Sequence, residues 1–276
     1  MFTKLFLKRE IVLLGILIGV VVFVTACGTA TQQNASATLK HSPYGRAELV
    51  WEPVTHLLTV RISLIGLAPK STHPAHIHAG SCKGIVKTIV YPLTNVVADV
   101  TGVGSSITSI RDVTGGIPAS GWYLNVHNGP GLTPDIQYTP ITCADIVNPA
   151  PSLKARQTVN VPLADALSAN QAASGIAHLT LNNGQLTVVL AMKGLVPEST
   201  HAAHIHSGSC ASQGKILYPL KPITADNMGA GSSTTVINDV SSIPASGWYV
   251  NVHFSTDMST QTGEDPIACG DVVLSH

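Results

Sequence analysis

Charge is scarce in this chain. Of its 276 residues only 11% are Asp, Glu, Lys or Arg, and the two signs balance at 15 each. Such a surface has no basic field to hold nucleic acid and no acidic tail, so a polyanion is a poor partner. Aromatic residues are few at 5%, and no segment carries a sustained helical period with caps, which argues against a helical bundle. No Ser-His-Asp order, glycine-rich phosphate loop or paired-carboxylate motif is convincing, so hydrolase and nucleotide-binding classes fall behind and catalytic residues stay unknown. What the chain has instead is 24 Gly and 17 Pro among many Ser, Thr and Val, a composition for short strands joined by turns.

The amino terminus reads as a targeting segment. Lys4, Lys8 and Arg9 precede an apolar run from Ile11 to Val24, too short to span a bilayer comfortably and suited to a signal sequence. The run ends in Val24-Thr25-Ala26-Cys27-Gly28, which resembles the bacterial lipobox. Residues 1–27 are therefore expected to be a lipoprotein signal with Cys27 as the lipidated residue, anchoring the protein outside the cytoplasm. An ordinary secretory signal is the competing reading. Residues 28–36, rich in Thr, Gln, Asn and Ser, read as a flexible tether.

The rest of the chain is a duplication. His73-Pro74-Ala75-His76-Ile77-His78 returns as His201-Ala202-Ala203-His204-Ile205-His206, and each copy goes on to a cysteine, to Gly-Trp-Tyr-x-Asn-Val-His, and to a second cysteine. Two domains follow, over 37–148 and 154–276, with 149–153 as a proline-containing linker. Leu58 to Leu64 alternates apolar and polar residues, and its counterpart runs from Leu186 to Met192. Ile176 to Leu181 joins that second strand through Asn182-Asn183-Gly184, a hairpin signal. Each repeat is thus expected to be an all-β sandwich or barrel. Setting Cys27 aside leaves four cysteines, and nearly equal spacings favour Cys82–Cys143 and Cys210–Cys269 among three connectivities. Neither pair has a close Cys-x-x-Cys spacing, so thiolate metal ligation is the weaker reading.

Strand parity places His76 and His78 on one face, opposite Ala75 and Ile77, and places His127 opposite Leu124 and Val126. The apolar side must face the core, so the imidazoles are expected on the outer wall of the barrel. Three imidazoles without a carboxylate lean toward copper or zinc. The same argument applies to His204, His206 and His253. Each ligand needs a partner to orient its second ring nitrogen, a role open to backbone carbonyls or to His73 and His201. Met192, Met228 and Met258 could offer soft ligands to Cu(I), but Met192 fits a core pattern, and only Met258, in the polar loop after His253, stays open. His41, His56, His178 and His276 have no counterparts in the other repeat and read as incidental surface residues.

In order and approximate spacing, His73, His76, His78, Cys82, Val126-His127 and Thr142-Cys143 resemble the copper/zinc superoxide dismutases, and the second copy ends still more closely in Ala268-Cys269-Gly270. The related CHRD domains share the His-Ile-His and Tyr-Val-Asn-Val-His signatures. The resemblance implies two tandem Greek-key β-barrels, each with one disulfide and up to one copper held by His76, His78 and His127 or by His204, His206 and His253. It implies that His73 and His201 support the ligand histidines without touching the ion, and that superoxide is a substrate. The departures are specific. No histidine lies between Cys82 and Trp122 or between Cys210 and Trp248, so zinc bound as in that family is not expected, although Asp112 and Asp239 lie in those regions. No arginine follows Arg156 to attract a small anion. A noncatalytic copper carrier and a metal-free extracellular interaction module therefore stand beside the dismutase reading.

Overall fold

Alternating burial over 33–41, 44–52, 57–65, 157–163, 174–182 and 185–193 shows why these segments make strands, whereas 72–79, 122–127 and 248–253 are buried on both faces. The computed structural model describes residues 32–84, 88–164 and 172–275. The earlier part holds β1 (Gln33–His41), β2 (Tyr44–Glu52), β3 (Leu57–Ile65), β4 (Thr72–Ala79), β5 (Ile89–Ala98), β6 (Gly104–Ile110), β7 (Trp122–His127), the short α1 (Asp135–Tyr138) and β8 (Pro140–Ile146). The later part holds β9 (Gln157–Leu163), β10 (Ser174–Asn182), β11 (Gln185–Lys193), β12 (Thr200–Ser209), β13 (Ser212–Thr224), β14 (Gly231–Ile237), β15 (Trp248–His253), α2 (Gln261–Glu264), β16 (Pro266–Asp271) and β17 (Val273–Leu274).

Two antiparallel sheets result. One runs β8-β7-β4-β5-β6-β3-β2-β9, and the other β13-β12-β15-β16-β1-β10-β11-β14 with β17 also on β1. The run β7-β4-β5-β6 has the Greek-key order, in which a fourth strand returns beside the first of three. Each sheet curls until its ends meet, β8 against β9 and β13 against β14, giving two nearly closed barrels. The expected strands are present as β3, β10 and β11. Asn183 and Gly184 both take positive φ, 48° and 77°, the backbone that a tight antiparallel hairpin needs.

The barrels do not divide the chain where the sequence suggested. Strand β1 pairs with β10 from Gln33↔Leu181 to Leu39↔Gly175 and reaches β16 at Lys40 and His41. Its Ala35, Ala37 and Leu39 lie in the core of the later barrel. Strand β9 pairs with β2 over Gln157–Leu163, and its Val159, Val161 and Leu163 lie in the core of the earlier one. Each barrel therefore borrows one strand from the other part of the chain. The domain boundaries 37–148 and 154–276 are corrected accordingly, and Gln33–Ser36, expected in the tether, belong to a strand. Small alanines between Ser and Thr look polar in sequence yet fill a barrel wall. The targeting segment 1–27 and most of the tether lie outside the described residues.

Further ties lock the barrels into one compact unit. The Ser42 amide donates to the Ile267 carbonyl at 3.2 Å, and the His41 ring donates from Nε2 to the Ile141 carbonyl at 3.0 Å. His41 is therefore a strut between barrels and not an incidental surface group. The two expected disulfides are formed, with Cα separations of 6.0 Å for Cys82–Cys143 and 5.8 Å for Cys210–Cys269. Each is fastened in the same way, since Asp145 accepts from the Cys82 amide and Asp271 from the Cys210 amide, both at 2.7 Å. Closing loops of this length stabilises a fold by about 4 kcal/mol on the chain-entropy account.

Candidate metal centre

Strands β4 and β7 are neighbours in antiparallel register, with His76 opposite Asn125 and His78 opposite Tyr123. Ala75, Ile77, Leu124 and Val126 turn into the core. The alternation leaves His76, His78 and His127 together on the other face, where one ligand nitrogen from each ring lies within 4.8 Å of the others. His76 Nδ1 and His127 Nε2 face each other at 3.0 Å. The second set repeats this from β12 and β15, with His204, His206 and His253 equally clustered. Ring centroids are 5.0 Å apart for His76 and His127, and the same for His204 and His253.

The face is the expected one, but it is not an open wall. His76, His78 and His127 are 6%, 0% and 0% exposed, and His206 and His253 are 7% and 3%. The connection from β7 to β8 folds back over the first set: the His127 ring donates from Nδ1 to the Tyr138 carbonyl, and the Tyr138 ring lies 4.6 Å from it. In the second set His253 donates from Nδ1 to the Glu264 carbonyl at 2.6 Å, and His206 to the Gly214 carbonyl at 3.0 Å. These carbonyls fix the tautomers, so that in a neutral ring Nε2 keeps its lone pair for another partner. Sequence reasoning allowed for backbone carbonyls in this role but did not identify which ones. The only signal was positional: Tyr138 and Glu264 stand the same distance beyond the last histidine and two residues before a proline.

Burial also sets the charge. Desolvation holds His76, His127 and His204 down to about 4 and His253 to about 3, and the neighbouring rings add to the effect. His206 is lowered for the same main reason. These rings are neutral at pH 7, the form in which imidazole binds a metal. In the second set His204 Nδ1, His206 Nε2 and His253 Nε2 are all buried without a hydrogen-bond partner. Three converging neutral nitrogens, one per ring and each short of a partner, fit a metal ion.

His73 and His201 are placed otherwise than expected. His73 donates from Nδ1 to the His127 carbonyl at 3.0 Å and meets Ser71 Oγ through Nε2 at 2.7 Å. His201 does the same with the His253 carbonyl and Ser199 Oγ. They hold the backbone of the third histidine and do not touch its ring nitrogens. Asp112 and Asp239 sit in exposed turns with φ of 61°, and neither joins a metal-ligand cluster among the described residues.

The two centres differ in what surrounds them. Beside the second lies a cavity of about 340 Å3 lined by His206, His253, Gly214, Lys215, Met258 and Glu264, and bounded by Pro69 and Val100 of the other barrel. Glu264 occupies the position where the first centre has Tyr138. Gln261, from α2, reaches across to the first barrel: its Oε1 accepts from the Thr72 amide at 2.9 Å, and its Nε2 donates to the Thr72 and Asn128 carbonyls.

Fold and centre together define an all-β protein of two disulfide-tied barrels, each with a buried histidine triad. Residues 153–259 match the family model of the CHRD domain. The match covers less than half of the chain, includes all three histidines of the second triad and stops before Cys269. CHRD domains are extracellular modules, and among the described residues no helix is long and apolar enough to cross a membrane. No curated protein matches the chain.

Proposed function

We propose that this is an extracytoplasmic metal-binding protein in which two copies of one barrel each hold one copper ion by three imidazoles, through His76, His78 and His127 and through His204, His206 and His253. The observation that carries this reading is the trio of buried, partnerless ring nitrogens on His204, His206 and His253, with the same arrangement of rings in the other barrel. Copper so held would supply a one-electron couple. The protein's own part is to keep the rings neutral, to fix His127, His206 and His253 by their carbonyl partners, and to shield the site from bulk water. Titrating Cu(II) and Zn(II) into the protein lacking residues 1–27 tests the reading calorimetrically. Two copper ions per chain are expected, falling to one in His76→Ala or His204→Ala. Absence of binding would leave the metal-free interaction module.

A cavity at the second centre favours a further reading, dismutation of superoxide, because a small molecule has room beside His206 and His253. The copper-loaded protein should then compete with cytochrome c for superoxide, and His204→Ala should lose most of that competition. Attachment through a lipid at Cys27 belongs to the same proposal. Cys27→Ala is expected to move the protein from the membrane fraction to the soluble fraction.

A further inference from the structure

The two triads differ in their surroundings, and the difference is chemical. The loop after His253 is mostly exposed, yet Met258 within it is half-buried, and its side chain borders the cavity together with His206 and His253. Those are two of the three rings of the second triad, and in both of them Nε2 is buried without a partner. A thioether is a soft, uncharged donor, and its affinity runs to Cu(I) more than to Zn(II) or other hard divalent ions. A methionine side chain has three rotatable bonds and adapts to what it meets. The other methionines among the described residues are placed otherwise: Met192 is 4% exposed in the core and Met228 is 83% exposed in a turn. The corresponding loop of the first barrel contains no methionine, and its centre is covered by the Tyr138 ring, 4.6 Å from His127.

We infer that Met258 is a fourth, soft ligand of the second centre, which makes that centre selective for monovalent copper and leaves the first as a histidine-only site. The inference rests on the metal-binding reading of the triads. A half-buried methionine that borders the same cavity as His206 and His253 adds a soft, uncharged thioether to nitrogen donors, which suits monovalent copper better than a hard divalent ion. The cavity bounded by Pro69 and Val100 gives that ion a way in and out without unfolding either barrel.

The test uses the chain from residue 28 onward with its methionine methyl groups labelled with 13C, titrated with Ag(I) as a diamagnetic stand-in for Cu(I). The Met258 methyl signal should shift with the first equivalent, while Met192 does not respond and Met228 responds only to excess. The Met258 shift should vanish in His204→Ala/His206→Ala. A parallel competition with a chromophoric Cu(I) chelator should show affinity about tenfold weaker in Met258→Leu, with Cu(II) stoichiometry unchanged. Met258→Leu alters a loop residue outside both cores, so folding is retained and thermal melting checks it. If the histidines take up Ag(I) or Cu(I) while the Met258 signal stays still, or if Met258→Leu binds Cu(I) as tightly as the parent, the inference is wrong and the triads stand. If neither copper nor silver binds at all, the metal-binding reading falls and this inference with it.

Discussion

A buried carboxyl group in the wrong charge state costs a fold more than almost any other single residue. Asp265 is 1% exposed, and burial raises its carboxyl well above the usual range, against the opposing pull of the Ala68 amide. It lies 3.8 Å from His73 Nε2, while desolvation holds His73 down to about 4. The two shifts agree that both partners are neutral at pH 7, so this contact between barrels is not an ion pair. A carboxyl whose pKa is raised by folding weakens the fold as pH rises above the unfolded value. Asp265→Asn keeps the shape and removes that cost. It should raise Tm at pH 7 by roughly 2–4 °C, the equivalent of about 1 kcal/mol in a chain of this size. A fall in Tm would mean that a charged Asp265 supports His73. The residues of the centre were legible in the sequence because imidazoles at i and i+2 on a strand, repeated with a distant third, are rare by chance. The carbonyls of Tyr138, Gly214 and Glu264 were not, because a backbone acceptor has no side-chain signature.

At the scale of elements, the exchange of β1 and β9 is the feature with the largest consequence. Without β1, the later barrel would expose the edges of both β10 and β16, and an uncovered edge invites pairing with another chain. The segment 172–276 expressed alone should therefore aggregate, and a synthetic peptide of residues 32–42 added in trans should restore a soluble, cooperatively melting domain. Sedimentation and circular dichroism read the result. A monomeric, stable 172–276 without the peptide would show that β1 is dispensable. The strands themselves were visible beforehand wherever alternation was strong, as in β3 and in the β10–β11 hairpin. Their destinations were not, because local patterning sets which face of a strand is buried but not which of two similar barrels receives it. Ala35 and Ala37 made β1 harder still to read, since they bury little apolar area.

At the scale of the whole molecule, the buried histidines set the response to acid. His73, His76, His127 and His204 are held near 4 and His253 near 3 by desolvation, against 6.5 when unfolded. As pH falls through 6.5 the unfolded chain takes up protons that the native rings refuse, so stability present above pH 6.5 declines between there and about pH 4. Asp265 acts in the opposite sense, but one carboxyl is set against several imidazoles. Urea unfolding of the metal-free protein should thus give midpoints that fall steadily from pH 7 to pH 4.5, and a flat profile would show that the rings are solvated. The halves should unfold together in this experiment, because the exchanged strands, Gln261 and Ser42 bind each barrel to the other.

The central claim is that three imidazoles in each barrel share one ion. Crystals of the protein grown with copper and recorded at the copper absorption edge test it most directly. The expected anomalous difference map has two strong peaks per chain, one within bonding distance of His76, His78 and His127 and one within bonding distance of His204, His206 and His253. Peaks only at surface histidines such as His56 and His178, or none at all, would contradict it.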